Sequence, residues 1–120
     1  MRNAGRMCMA LLSLSLAFSA NAGSETLKIG LNIPLTGDIP KVGEGSKFSA
    51  EMLKEEVNGV GGLKVGDKTY TLEFIYEDNE AKAESATAAA MKLITSDEVL
   101  AMIGPQSSKQ AVPAGEVANS

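Results

Sequence analysis

The chain has 120 residues, with 15 Asp and Glu against 11 Lys and Arg, no His, one Cys, no Trp and a formal net charge of −4 at pH 7. That length holds one small domain or part of a larger one. Its acidity, with lysines scattered singly, leaves no footprint for nucleic acid or an anionic membrane, and the lack of His removes the usual general base.

The first 22 residues read as an export leader. Arg2 and Arg6 form a basic start, Met7 to Phe18 (MCMALLSLSLAF) is apolar, and Ala20-Asn21-Ala22 has the small-x-small form of a cleavage site. The apolar run is too short to span a bilayer as a permanent helix, so no stable membrane insertion is expected after cleavage. Cys8 lies near the start of this run, away from any lipid-modification position. Cleavage after Ala22 is expected to leave an exported, soluble protein with neither Cys nor Arg, hence more acidic and free of disulfides.

Beyond a short polar spacer, Leu27, Ile29, Leu31 and Ile33 alternate with Lys28, Gly30 and Asn32, a period of two that marks a first strand closed by Pro34. Leu35 to Val42 (LTGDIPKV) reads as a loop at the carboxyl edge of the sheet. Gly43 to Asn58 reads as a helix with Ala50, Leu53 and Val57 on one stripe and Gly59 as its left-handed stop. Leu63-Lys64-Val65 and Thr69-Tyr70-Thr71 flank a turn whose Gly66 takes positive φ, a small hairpin. The second strand, Thr69 to Glu77, has one polar face and is expected at an edge beside the first. Asp78 or Asn79 caps a second helix, whose buried stripe is Ala83, Ala86, Ala90, Leu93 and Ile94.

Val99 to Ile103 (VLAMI) is a continuous apolar run, the pattern of a strand buried on both faces. Gly104-Pro105 ends it, and Gln106, Ser107 and Ser108 follow at the handover from strand to helix. Ligands sit at such edges in open α/β sheets, because free N–H groups and the positive helix end receive anions. Ser107 and Gln110 have capping-box spacing, which puts Pro113 inside the helix. The alternative is a separate Ser107 turn, with the helix starting near Pro113 as a first-turn proline. Right-handed crossovers then give three parallel strands in the order 2-1-3, with helices on both faces, a Rossmann-like α/β arrangement.

Other motifs carry less. Gly43-Glu44-Gly45 opens like a dinucleotide fingerprint, but Phe48 stands where the third glycine belongs, so a flexible helix start is the better reading. Ser107 and Ser108 have no His to act as base, so they are not expected to be nucleophiles. From spacing alone they serve equally as helix caps or as ligand groups. Glu77-Asp78-Asn79 lacks the pattern of a calcium loop, and capping with solvation accounts for it. No metal or cofactor is expected.

Taken together, LKIGLNIPLTG, a helix ending NGVGGLKVG, the strand TLEFIYEDNE, an Ala-rich helix and VLAMIGPQSS…VP resemble, from Leu27 to Ser120, the branched-chain amino-acid binding protein family. These are type I periplasmic receptors of ABC importers. The resemblance implies a two-lobed receptor with an amino acid in the cleft, no enzymatic activity, and delivery to a membrane permease. Residues 23–120 would then be the N-terminal part of the first lobe, with the remainder missing. By that resemblance Ser108 falls on the serine that bonds the ligand's α-carboxylate, Gln106 and Ser107 on wall positions, and Val42 on a first-loop position against the ligand side chain. Some relatives have an aromatic residue at the place of Val42, and a disulfide at those of Glu80 and Ser107. Two alternatives stay open: a sensing or regulatory domain of the same fold for amides, urea or another small polar ligand, and an exported α/β enzyme with catalytic residues beyond Ser120.

Overall fold

A computed structural model describes residues 24–120; the leader expected at 1–22, its cleavage site and Cys8 lie outside the described residues. The elements run β1 (Glu25–Ile33), α1 (Pro40–Gly59), β2 (Leu63–Val65), β3 (Lys68–Asp78), α2 (Ala83–Thr95), β4 (Ala101–Ile103) and α3 (Ser108–Ala118). They form one sheet in the order β2-β3-β1-β4. β1 pairs in parallel with β3 on one side and β4 on the other, which is the expected order with β1 in the middle. The hairpin through Gly66, at φ +60, adds β2 antiparallel to β3. The sheet is therefore mixed and four-stranded, not purely parallel, and β2 covers the start of the second long strand.

The alternation of β1 divides its side chains between two layers. Leu31 and Ile33 join Leu72, Phe74 and Ala50 in a core under α1. On the opposite face, Ala86 and Ala90 of α2 and Ala114 of α3 pack together with Met102 of β4. Gly30 lets α2 close in, since a Cβ there would press on the Leu93 methyl groups. Helices thus cover both faces of the sheet.

Several boundaries differ from expectation. α1 starts at Pro40, because proline's fixed φ and missing N–H suit the first helical position. Val42 consequently lies in the first helical turn and not in a loop. The left-handed residues after α1 are Gly61 and Gly62, not Gly59, and Gly62 is needed where the chain closes on the Tyr70 carbonyl. The cap of α2 is Lys82, with neither Asp78 nor Asn79 in that role. Its buried stripe takes Ala89 in place of Ile94, which is 38% exposed.

α3 starts at Ser108 with Ser107 as cap, and Pro113 stands inside it. That settles the two readings of this stretch in favour of the longer helix. β4 is shorter than Val99–Ile103, and it is not buried on both faces: Leu100 is 71% and Ile103 54% exposed. Its only strand partner among the described residues is β1, and α1 lies over β1 and β3. Among the described residues no helix is long and apolar enough to cross a membrane.

Candidate functional site

Three loops meet at the carboxyl edge of the parallel strands: Pro34–Ile39 after β1, Asn79–Lys82 after β3 and Gly104–Ser107 after β4. Asp78, the last residue of β3, ties the first two together. Its Oδ1 accepts from the backbone N–H groups of Leu35 (2.9 Å), Thr36 (3.1 Å) and Glu80 (2.8 Å), and its Oδ2 from the Thr36 hydroxyl (2.6 Å). Burial pushes this carboxyl up, but the four donors together outweigh it and hold the group below its ordinary value.

Below the edge lies an amide pair with no exposure to water, Asn32 and Asn79. Asn32 Nδ2 donates to the Ala86 carbonyl at 2.8 Å. Asn79 Nδ2 donates to the backbone and side-chain oxygens of Asn32, at 3.2 and 3.1 Å. The Ala81 N–H donates to Asn79 Oδ1 at 3.0 Å. Through these bonds Glu80 and Ala81 are held at φ +50 and +58, a region that costs residues with a Cβ about 1–3 kcal/mol each. Gly37, at φ +87, passes so close to the Glu80 carbonyl that a Cβ would overlap it, and Gly43 lies equally close to the Pro34 carbonyl.

Of the four residues singled out from the sequence, two are joined. Gln106 Nε2 donates to Ser46 Oγ at 3.0 Å, and Ser46 Oγ donates to the Val42 carbonyl at 3.0 Å. This stitches the turn after β4 to the start of α1. Under it lies an apolar cleft of about 230 Å³, with Leu31, Ile33, Leu53, Phe74 and Ile103 in its walls. Val42 itself is 45% exposed.

Ser107 caps α3 with its backbone, while its hydroxyl donates to Gln110 Oε1 at 2.7 Å. Gln110 is only 4% exposed, so this bond anchors the turn. Ser108 is exposed, and its hydroxyl has no hydrogen-bond partner among the described residues. The first-turn N–H groups of Ser108 and Lys109 precede the helix's own bonds, which begin with Gln110 and Ala111 donating to the Ser107 carbonyl. A hydroxyl and free N–H groups at a positive helix end can receive a small carboxylate. A second hollow, of about 340 Å³, opens between the starts of α2 and α3, with Lys82, Glu84 and Lys109 on its rim.

Asn32, Asp78, Asn79 and Ser46 were not singled out as site residues in the sequence. For Asn32 a signal existed, since a polar residue in an otherwise apolar strand must find partners where a helix covers it. Residue type predicts Asp78 or Asn79 as the cap of the helix that follows; instead Asp78 accepts from Leu35, Thr36 and Glu80, and Asn79 bonds to Asn32 and Ala81.

Residues 26–120 match the family model described as periplasmic binding protein. Among curated proteins, the chain is 33% identical over 108 residues to the Leu/Ile/Val-binding protein BraC3 of Rhizobium johnstonii, covering 90% of this chain and 28% of the relative. It is 30% identical over 109 residues to an amino acid binding protein of Pseudomonas aeruginosa, covering 87% of this chain and 28% of that one. Among solved structures, the branched-chain amino acid transporter substrate binding protein LivJ of Streptococcus pneumoniae, in complex with isoleucine, superposes with a TM-score of 0.70 at 27% identity, over 79% of this chain and 26% of that one. A solute binding protein of an ABC transporter from Rhodopseudomonas palustris, in complex with 3,4-dihydroxy benzoic acid, gives 0.62 at 28% identity, over 78% and 24%. The chain thus spans about a quarter of the length of these relatives.

Proposed function

The chain belongs to the periplasmic binding protein family, and from that premise we propose that it supplies the carboxylate-receiving edge of an exported, periplasmic receptor that captures a branched-chain amino acid. In this reading residues 23–120 are part of the first lobe of a two-lobed protein, the amino group is bound from the second lobe, and the loaded receptor delivers its ligand to the permease of an ABC importer. The observation that carries it is the exposed Ser108 hydroxyl beside the free N–H groups at the start of α3. Val42, linked through Ser46 and Gln106 to the same turn, stands where an apolar ligand side chain would lie, and Ser107 holds the turn.

A second reading is favoured by the Rhodopseudomonas palustris relative, which holds 3,4-dihydroxy benzoic acid, an aromatic acid. Both ligands carry a carboxylate, so the same edge suits either. Calorimetric titration of the receptor with leucine, isoleucine, valine and an aromatic acid separates the two. A hydrogen bond to a charged group is worth about 1.5–3 kcal/mol, so Ser108→Ala is expected to weaken the bound ligand by roughly tenfold to somewhat over a hundredfold without lowering the melting temperature. Unchanged affinity would leave Ser108 as the first residue of a helix and nothing more. Val42→Trp is expected to reorder the ligands, because it alters pocket volume and leaves the carboxylate contact alone; equal weakening of all ligands would remove Val42 from the pocket wall.

A further inference from the structure

We propose that Asp78 is a positioning residue for the ligand site: by tying the loop after β1 to the turn before α2, it fixes where α1 begins, and with it Val42 and Ser46. The proposal rests on the reading of this edge as an amino-acid site. Asp78 itself points into the protein's own backbone, with both carboxylate oxygens engaged by Leu35, Thr36 and Glu80. Its effect has to travel through what it holds.

The route is short and made of backbone. Leu35 and Thr36, held by Asp78, directly follow Pro34, whose carbonyl lies against Gly43 in the first turn of α1 with no room for a Cβ. A shift of this loop therefore pushes the start of α1. On the other side, Gly37 lies against the Glu80 carbonyl, and Glu80 and Ala81, both left-handed, donate their N–H groups to Asp78 and Asn79. From α1 the placement passes through Ser46 to Gln106, and so to the turn that carries Ser107 and Ser108. The loop after β1 and the turn after β4 are thereby set relative to each other, and a ligand that touches both reads the distance between them.

The test compares the unaltered protein with Asp78→Ala and Asp78→Asn, first without ligand by amide chemical shifts and hydrogen exchange, then by titration with leucine. Asp78→Ala is expected to disturb Leu35, Thr36 and Glu80, and beyond them Val42 to Ser46 and the side-chain amide of Gln106, and to weaken leucine by roughly tenfold. Asp78→Asn keeps an acceptor oxygen for the three N–H donors and is expected to restore most of both. Disturbance confined to Leu35, Thr36 and Glu80, with Val42 to Ser46 unmoved, overturns the proposal. If Asp78→Ala does not fold, Thr36→Ala removes only the Oδ2 bond and is read in the same way, with a smaller expected shift. If the unaltered protein binds no amino acid, the functional reading fails on that result, while the ligand-free shifts still decide whether Asp78 places α1.

Discussion

Asn32 and Asn79 are both fully buried, and a buried amide group left without a partner costs about 1–3 kcal/mol. Asn79→Ala strands the Ala81 N–H and takes a donor from both oxygens of Asn32, so a loss of about 2–4 kcal/mol is expected in urea unfolding; a loss below half a kcal/mol would mean that water replaces these bonds. Asp78 gives a pH dependence of known sign. Its folded-state pKa lies below the ordinary 3.8, so the unfolded chain takes up this proton first as the pH falls. The stabilisation is whole above 3.8 and is lost as the pH drops through the lower folded value. Urea midpoints at about pH 6 and about pH 3 are expected to differ less for Asp78→Asn than for the unaltered protein; equal differences would show that other carboxylates carry the acid response. Neither role was legible in the sequence beyond the residue types. Asp78 bonds to backbone more than forty positions away, and no local spacing announces such a partner.

At the level of elements, α1 offers two glycines in the same helix whose replacement is expected to act in opposite directions. A Cβ at Gly45 meets nothing within 4 Å, so Gly45→Ala is expected to stabilise by about 0.5–1 kcal/mol through backbone entropy. A Cβ at Gly43 overlaps the Pro34 carbonyl, so Gly43→Ala must push α1 off the end of β1 and is expected to cost about 1–3 kcal/mol. Thermal melts of the two variants check this, and two shifts of the same sign would contradict the packing. Existence and type of the long elements were legible because alternation in β1 and helical spacing in α1 and α2 report burial directly. Their ends were less so. Pro40 reads as a loop residue until it is seen at a first helical position, and Ser107 with Gln110 competes with Pro113 until packing of Ala114 and Val117 against α2 decides for a helix with proline inside. Of the candidate site, the strand, turn and helix pattern placed Ser107 and Ser108 at the sheet edge, while the ligand roles expected of Ser108 and Val42 come from family resemblance, and Val42 is helical.

Over the whole molecule, crossover handedness was enough to order the three parallel strands, and the hairpin read at Gly66 joins the same sheet as a fourth, antiparallel strand. What sequence pattern misjudged was β4, because an apolar run states that a strand suits burial and not what covers it. Here Ile103 and Leu100 are exposed, Leu53 of α1 is 49% exposed across the apolar cleft from Ile103, and the outer side of β4 has no strand partner among the described residues. An edge that combines free backbone groups with apolar side chains is a template for another chain. Residues 24–120 are therefore expected to self-associate as concentration rises, and Ile103→Lys to shift them toward monomer by placing a charge on that edge. Since Ile103 is already 54% exposed, the change is expected to leave the melting temperature nearly untouched. Phe48→Lys is the control: Phe48 is more exposed, at 68%, but it sits on a helix whose backbone groups are satisfied internally, so it offers no pairing edge. Sedimentation of the three proteins across a concentration series decides the matter. A monomeric unaltered protein would contradict the expected association, and association relieved equally by Phe48→Lys and Ile103→Lys would assign the contact to exposed apolar area in general and not to the open strand.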